Sequence, residues 1–230
     1  MRRALLVVDL TNDYLPKNYN LSLELGRGQV LVPRIRNLEE AFLRHGQPVI
    51  YSSDRHLRTD FELDKWGPHS MKGKEGSRIV DGLITENMRV LERGWTARDI
   101  QHIKKRELLF DVEKGAYSGF TDSGGKPTAM AALLTRLGFK PGDRIYISGV
   151  HTNCCVKHTA ADAWFRGYVP VVVEDCVDSF DDSTGARGMG HREALNYMHY
   201  WYDAEIRSAE QVVAELEQKP PVDSRKAPSS

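Results

Sequence analysis

Arg144-Ile-Tyr-Ile-Ser-Gly-Val-His-Thr-Asn-Cys-Cys-Val-Lys-His-Thr-Ala-Ala-Asp-Ala163 decides the fold. Ile145, Ile147 and Val150 make an apolar strand, which Gly149 can close because it has no side chain to restrict φ. From about Cys155 the spacing becomes that of a helix, with Val156, Thr159, Ala160, Ala163 and Trp164 recurring three and four residues apart. A cysteine in the first turn of a helix meets unpaired N–H groups and the positive end of the helix dipole, which favour thiolate over thiol. Cys154 and Cys155 both stand at this break, and each could equally be a small apolar filler of a buried corner.

Other apolar runs end in charged side chains: Ala4 to Asp9, Gln47 to Asp54, Glu107 to Lys114 and Val169 to Asp175. Continuous apolar runs suit parallel strands covered on both faces. Helical spacing predicts helices over Gly26–Gly46, Pro127–Leu137, His191 to about Tyr202 and Ala209–Leu216. The first of these carries Val30, Leu31, Ile35, Leu38, Ala41, Phe42 and Leu43 on its apolar side. Met88–Leu91 reads as a short strand, Trp95–Lys105 as an amphipathic helix and Ala204–Ile206 as a short extended segment, while 56–76 reads as loop. Strands alternating with helices predict one α/β domain over residues 1–218, three αβα layers around a mostly parallel sheet. Residues 219–230 are polar and proline-rich and read as a disordered tail. Ligands of such sheets bind at the C-terminal strand edge, where Asp9, Asp54, Lys114 and Cys155 all fall.

Composition narrows the choice of partner. Lys plus Arg and Asp plus Glu both number 32, giving a net charge of +0. No general field attracts nucleic acid or an anionic membrane, which leaves a small molecule as the expected substrate. Three cysteines, two of them adjacent, make no disulfide framework and suit a reducing cytoplasm. The N-terminal apolar run is interrupted by Asp9 after five residues and reads as a first strand rather than a leader.

A nucleophilic thiol needs a base, and a carboxylate at a neighbouring strand end serves if burial raises its pKa. Asp9 is so placed, and Lys114 can hold thiolate and carboxylate in register. The N–H groups of His151 and Cys155 at the strand-to-helix turn are candidates for binding an oxyanion, which makes the reaction acyl transfer to sulfur followed by hydrolysis. Asp54-Arg-His56, with His69 in Trp66-Gly-Pro-His69, offers a carboxylate and two imidazoles, a plausible open site for Zn²⁺, Mn²⁺ or Fe²⁺. The same histidines could instead be loop residues bonded to Asp60 or Asp64.

Val8-Asp-Leu-Thr-Asn-Asp-Tyr14, Lys114-Gly-Ala-Tyr-Ser-Gly-Phe120 and Gly149-Val-His-Thr-Asn-Cys-Cys-Val156 together resemble the isochorismatase-like cysteine hydrolases. That superfamily includes nicotinamidases, N-carbamoylsarcosine amidases and isochorismatases, and the likeness extends to about residue 207. The resemblance implies the isochorismatase-like fold, a catalytic triad of Asp9, Lys114 and Cys155, and a cis peptide at Val150-His151. It leaves Cys154 at a variable position. It also implies pocket aromatics at Tyr14, Trp66 and Tyr117, and a metal, zinc by preference, on Asp54, His56 and His69, holding a pyridine nitrogen. No organic cofactor is expected, and a homodimer or homotetramer is. The implied reaction is cleavage of a small carboxamide, nicotinamide by preference, through a thioester. The alternatives are a metal-independent carbamoyl or ureido hydrolase, an isochorismatase-type hydrolase, and a non-catalytic metabolite-binding relative. Three features depart from the nicotinamidase pattern. Leu57 to Lys65 contains no histidine, the loop between His56 and His69 is short, and an insert over about Met88 to Arg106 could form a lid or an oligomer contact.

Overall fold

The apolar run ending at Asp9 forms the centre of the sheet. In the computed structural model, which describes residues 1–15, 27–179 and 188–218, strand β1 (Arg3–Val8) is buried from Ala4 onward. It lies between β2 (Val49–Asp54) and β5 (Arg144–Val150). Outside them stand β4 (Leu109–Lys114) and β3 (Arg89–Leu91) on one side, β6 (Val169–Asp178) and β7 (Glu205–Arg207) on the other. The order is β3-β4-β2-β1-β5-β6-β7 and every pairing is parallel.

Successive side chains of β1 point to opposite faces. Leu5 and Val7 pack with Leu31, Ile35, Leu38 and Phe42 of α1 (Arg27–Arg44) and with Val212 and Leu216 of α6 (Ala209–Glu217). Ala4, Leu6 and Val8 join the other core, with Leu133 of α3 (Met130–Arg136), Ala160 and Ala163 of α4 (Lys157–Phe165) and Met198 of α5 (His191–Tyr202). Burying each large aliphatic side chain contributes about 1.5–3 kcal/mol, so a sheet covered on both faces holds the strand ends firmly. Gly149 is required where β5 crosses close to β1: its φ is 106°, and a Cβ there would stand 2.0 Å from the Val8 carbonyl oxygen.

The αβα parallel architecture is as expected, with local differences. Trp95–Lys105 is not a helix but a series of turns, in which Thr96 N and Oγ1 both donate to Asp99 Oδ2 at 2.7 Å. Ile100 and Ile103 are its only fully buried anchors, too few to fix a helical stripe. The insert is nonetheless part of the fold, since β3 adds an edge strand to β4. A five-residue helix α2 (Glu62–Trp66) lies within the stretch read as loop. Pro127 bridges to Thr121 ahead of α3 rather than starting it, and Val30 is exposed rather than part of the apolar side of α1. The expected tail, 219–230, lies outside the described residues. No helix among the described residues is long and apolar enough to cross a membrane.

Candidate active site

Strand order reverses beside β1, so the C-terminal ends of β1, β2, β4 and β5 face one crevice. Asp9 follows β1 with φ 52°, a left-handed conformation that aspartate tolerates better than most residues. Its Oδ1 accepts from the Asp54 amide at 2.9 Å and its Oδ2 from Lys114 Nζ at 2.8 Å. Lys114 is fully buried and also donates to Asp54 Oδ1 at 2.5 Å and to the Ala116 carbonyl at 2.9 Å. Three protons meet three acceptors, the condition for burying an ammonium. Tyr14 donates its hydroxyl to Asp54 Oδ2 at 2.6 Å. Cys155 completes the group: its sulfur and one oxygen each from Asp9 and Asp54 lie within 4.8 Å of one another.

This geometry separates the two carboxylates. Burial, reinforced by the charge of Asp54, pushes the Asp9 carboxyl up to about 7 despite Lys114. Burial opposes ionisation of Asp54 as well, but Lys114 and then His56 hold it well below the usual carboxylate range. Contact with Cys154, burial and the Asp9 charge push the Cys155 thiol up, so it rests protonated beside a base of near-neutral pKa. Cys154 is drawn down to about 6 by its contact with Cys155 and, against burial, by His158. Of the two sulfurs, only that of Cys155 joins the Asp9 and Asp54 cluster.

The turn carrying the cysteines is not the start of a plain α-helix. Thr152–Val156 forms a single π-helical turn, in which the His151 carbonyl accepts from Cys154 N at 2.9 Å and Val156 N at 3.2 Å. The α-helix begins only at Lys157. Thr152 Oγ1 lies 2.9 Å from His191 Nδ1 and Asn153 Nδ2 donates to the Met189 carbonyl at 2.5 Å, so the start of α5 braces the turn. The Val150-His151 peptide is cis.

Beside this group, Asp54, His56 and His69 each bring one donor atom within 4.8 Å of the others. The pairing of His56 with Asp60 exists, but through Nδ1, at 3.1 Å. Nε2 is buried 3.6 Å from Asp54 Oδ2; burial opposes its protonation but Asp54 pushes the His56 pKa up to about 9, so Nε2 becomes a metal donor on releasing its proton. His69 Nδ1 likewise faces the Gly67 carbonyl at 2.8 Å, which turns its Nε2 toward the cluster. These are the outer-shell contacts that orient metal-binding imidazoles, so the donor set fits a divalent ion.

Two residues unforeseen from the sequence support this group. Arg93, from the insert, grips both oxygens of Asp60 at 2.7 and 2.9 Å and reaches Asp122 at 2.9 Å, fixing the partner of His56. Glu62 of α2 is buried with Oε1 3.8 Å from His69 Nε2, and burial followed by the Asp54 charge pushes it up to about 8. Recognising α2 would have placed Glu62 one turn from Trp66. The three aromatics gather here too. Tyr14 sets its ring edge-on to His69 and His151, with centroids 5.8 and 5.6 Å away. Trp66 Nε1 donates to the Tyr117 hydroxyl at 2.8 Å.

A three-layer αβα protein with its buried ionisable groups gathered at the switch point of a parallel sheet belongs architecturally with the isochorismatase-like hydrolases. The chain is a member of the isochorismatase family, whose isochorismatase domain matches residues 3–211. Among its relatives is the nicotinamidase/pyrazinamidase of Mycobacterium tuberculosis (strain ATCC 25618 / H37Rv), 29% identical over 185 residues, 75% of this chain and 84% of that one. The crystal structure of N-carbamoylsarcosine amidase from Thermoplasma acidophilum superposes with a TM-score of 0.69 at 30% identity, covering 91% of this chain and 98% of that one. The pyrazinamidase of Pyrococcus horikoshii, solved in complex with zinc, shares the fold with a TM-score of 0.68 at 23% identity, over 90% and 99% of the two chains.

Proposed function

We propose that the protein is a cysteine amidohydrolase that releases ammonia from a small carboxamide, nicotinamide by preference. The observation that carries this reading is the Cys155 sulfur beside a lysine-held carboxylate whose pKa is raised to about 7. As Cys155 attacks the carboxamide carbon, Asp9 takes the thiol proton. The carbonyl oxygen gains the negative charge, and the N–H groups of His151 and Cys155 are its assigned donors. Collapse breaks the C–N bond, Asp9 returns the proton to the leaving nitrogen, and ammonia departs from a thioester on Cys155. Water then attacks the thioester, Asp9 accepts its proton, and the thiol is restored as the acid leaves. Lys114 stays an ammonium throughout and keeps Asp9 aimed at the sulfur.

Asp54, His56 and His69 would hold a divalent metal, zinc by preference, and the bound ion would supply a Lewis acid that anchors a pyridine-type nitrogen. Tyr14, Trp66 and Tyr117 would then flank a flat ring.

Cys155→Ala is expected to abolish ammonia release from nicotinamide while Cys154→Ala retains most of it; the reverse result overturns the assignment. A second reading, favoured by the likeness to N-carbamoylsarcosine amidase, is a carbamoyl or ureido substrate on the same thiol. Ammonia release from N-carbamoylsarcosine but not nicotinamide selects it.

A further inference from the structure

Thr159, Asp162 and Arg166 follow Cys155 at four, seven and eleven residues, which lines them up along the helix that begins behind the nucleophile. The loop leaving β4, residues 115–121, is bonded to this stripe at three points. Ser118 Oγ donates to Asp162 Oδ2 at 2.5 Å, Thr121 Oγ1 donates to the same oxygen at 2.9 Å, and the Gly119 amide donates to Thr159 Oγ1 at 3.0 Å. Arg166 Nη1 takes the other carboxylate oxygen of Asp162 at 2.5 Å. Burial opposes ionisation of Asp162, but the bonds from Ser118, Arg166 and Thr121 hold its carboxyl below the usual carboxylate range. The loop also lies hard against the sheet, where a Cβ on Gly119 would stand 2.7 Å from Ser52 Oγ. Two groups of the candidate site ride on it. The Ala116 carbonyl accepts from Lys114 Nζ at 2.9 Å, and Tyr117 accepts from Trp66 Nε1 at 2.8 Å with its ring 5.3 Å from that of His158 on α4.

We propose that Asp162 is a positioning residue for substrate: by gripping Ser118 and Thr121 it holds Tyr117 in register with the helix that presents Cys155. The inference rests on the amidohydrolase reading of the site and adds to it a residue that touches neither the sulfur nor the substrate. Residues 115–121 contain no helix or strand of their own, so the loop keeps its shape only through such tethers. Asp162 is suited to the task because two hydroxyl protons converge on one of its oxygens, and a charged acceptor makes the stronger bond to each. Its ion pair is separable from this grip, since Arg166 uses the other oxygen. Through Asp162 the nucleophile and the pocket wall move as one body, and a displacement of about 1 Å between them is enough to weaken a bound substrate's alignment. Lys114 keeps its bonds to Asp9 and Asp54 when the loop is released, so the cost falls on binding more than on chemistry.

Steady-state kinetics and backbone amide exchange on the full chain test this together. In Asp162→Ala, KM for nicotinamide, or for N-carbamoylsarcosine where that is the amide cleaved, is expected to rise about tenfold while kcat falls by no more than about threefold. The amides of residues 118–121 are expected to exchange about tenfold faster in the same variant. Asp162→Asn keeps an oxygen for both hydroxyls and loses only the partly exposed ion pair, so it should restore wild-type exchange and bring KM back to within about twofold. Ser118→Ala with Thr121→Val removes the same two bonds from the loop side and should reproduce the alanine's values, which keeps the test open if Asp162→Ala folds poorly. An alanine variant that melts at lower urea yet keeps wild-type KM and loop exchange makes Asp162 a brace of the fold and overturns the proposal. So does an asparagine variant no better than the alanine. If wild type cleaves neither amide, the functional reading fails separately, and exchange decides the grip: faster in Asp162→Ala and normal in Asp162→Asn upholds it, while equal rates in all three end it.

Discussion

Asp9 and Asp54 accept hydrogen bonds from the same Lys114 ammonium, yet their surroundings drive them apart. One is a strong acid that stays charged; the other titrates near neutrality, which is the division of labour expected of a charge holder and a base. Because the Asp9 pKa is raised, its basic form is present only above about 7. Therefore kcat/KM is expected to climb tenfold per pH unit below about 7 and then level off, as a pH–rate profile on saturating and limiting substrate would show. Asp9→Asn removes the base and is expected to lower kcat by about 10²–10⁴-fold at every pH. A flat profile from pH 5 to 8 in the wild type would remove Asp9 from the role. The same scale shows where sequence stops. Asp9, Lys114 and a cysteine could be named from strand ends, where residue spacing alone left Cys154 and Cys155 alike; the family resemblance chose Cys155, and the π-helical turn, where one residue of slip decides which sulfur faces Asp9, gathers that sulfur with Asp9 and Asp54.

Among the elements, the seam between α1 and β2 holds a carboxyl that the chemistry does not use. Glu39 is fully buried, Tyr51 donates to its Oε1, and the Ile84 amide donates to Oε2 at 3.0 Å. The Tyr51 hydroxyl has one proton but also lies 3.0 Å from the Ile84 carbonyl. A protonated Glu39 resolves this by donating to the tyrosine oxygen while the tyrosine donates to the carbonyl. Burial accordingly pushes Glu39 above the ordinary 4.5 of a glutamate, up to about 7. Since the folded state binds the proton more tightly than the unfolded chain, this contribution is fully present below about 4.5 and is lost as pH rises through about 7. In urea melts from pH 5 to 8, wild type is expected to lose on the order of 2 kcal/mol more than Glu39→Gln, which keeps the neutral pattern. Equal slopes would mean that Glu39 is ionised in the fold. The elements that sequence located well, such as the helix His191–Tyr202 and the central strands, carry many apolar anchors at one period. Those it missed, α2 and the turns of 95–106, are short and held by side-chain hydrogen bonds and Arg93, which leave no periodic trace.

At the scale of the whole molecule, the candidate metal donors tie separate parts of the chain to one point. Asp54 ends β2, His56 lies just beyond it, and His69 returns from the far side of α2, while Arg93 brings the insert to Asp60 behind His56. An unfolded chain holds no such set, so a metal bound here stabilises the folded state by mass action. At a free concentration 100 times the dissociation constant the gain is about 2.7 kcal/mol. For a chain of 230 residues this corresponds to roughly 5–10 °C in melting temperature. Protein stripped with a chelator is therefore expected to melt lower and to recover on adding Zn²⁺, Mn²⁺ or Fe²⁺, with the metal giving the largest shift identifying the preferred ion. His69→Asn should melt at the same temperature with and without that metal, because the set then loses one of its two imidazoles. The comparison needs no substrate, so it separates metal binding from catalysis. If wild type and His69→Asn respond alike to every ion, the three residues form a buried polar cluster and the ring-anchoring role assigned to the metal falls, while the Cys155 chemistry stands untouched.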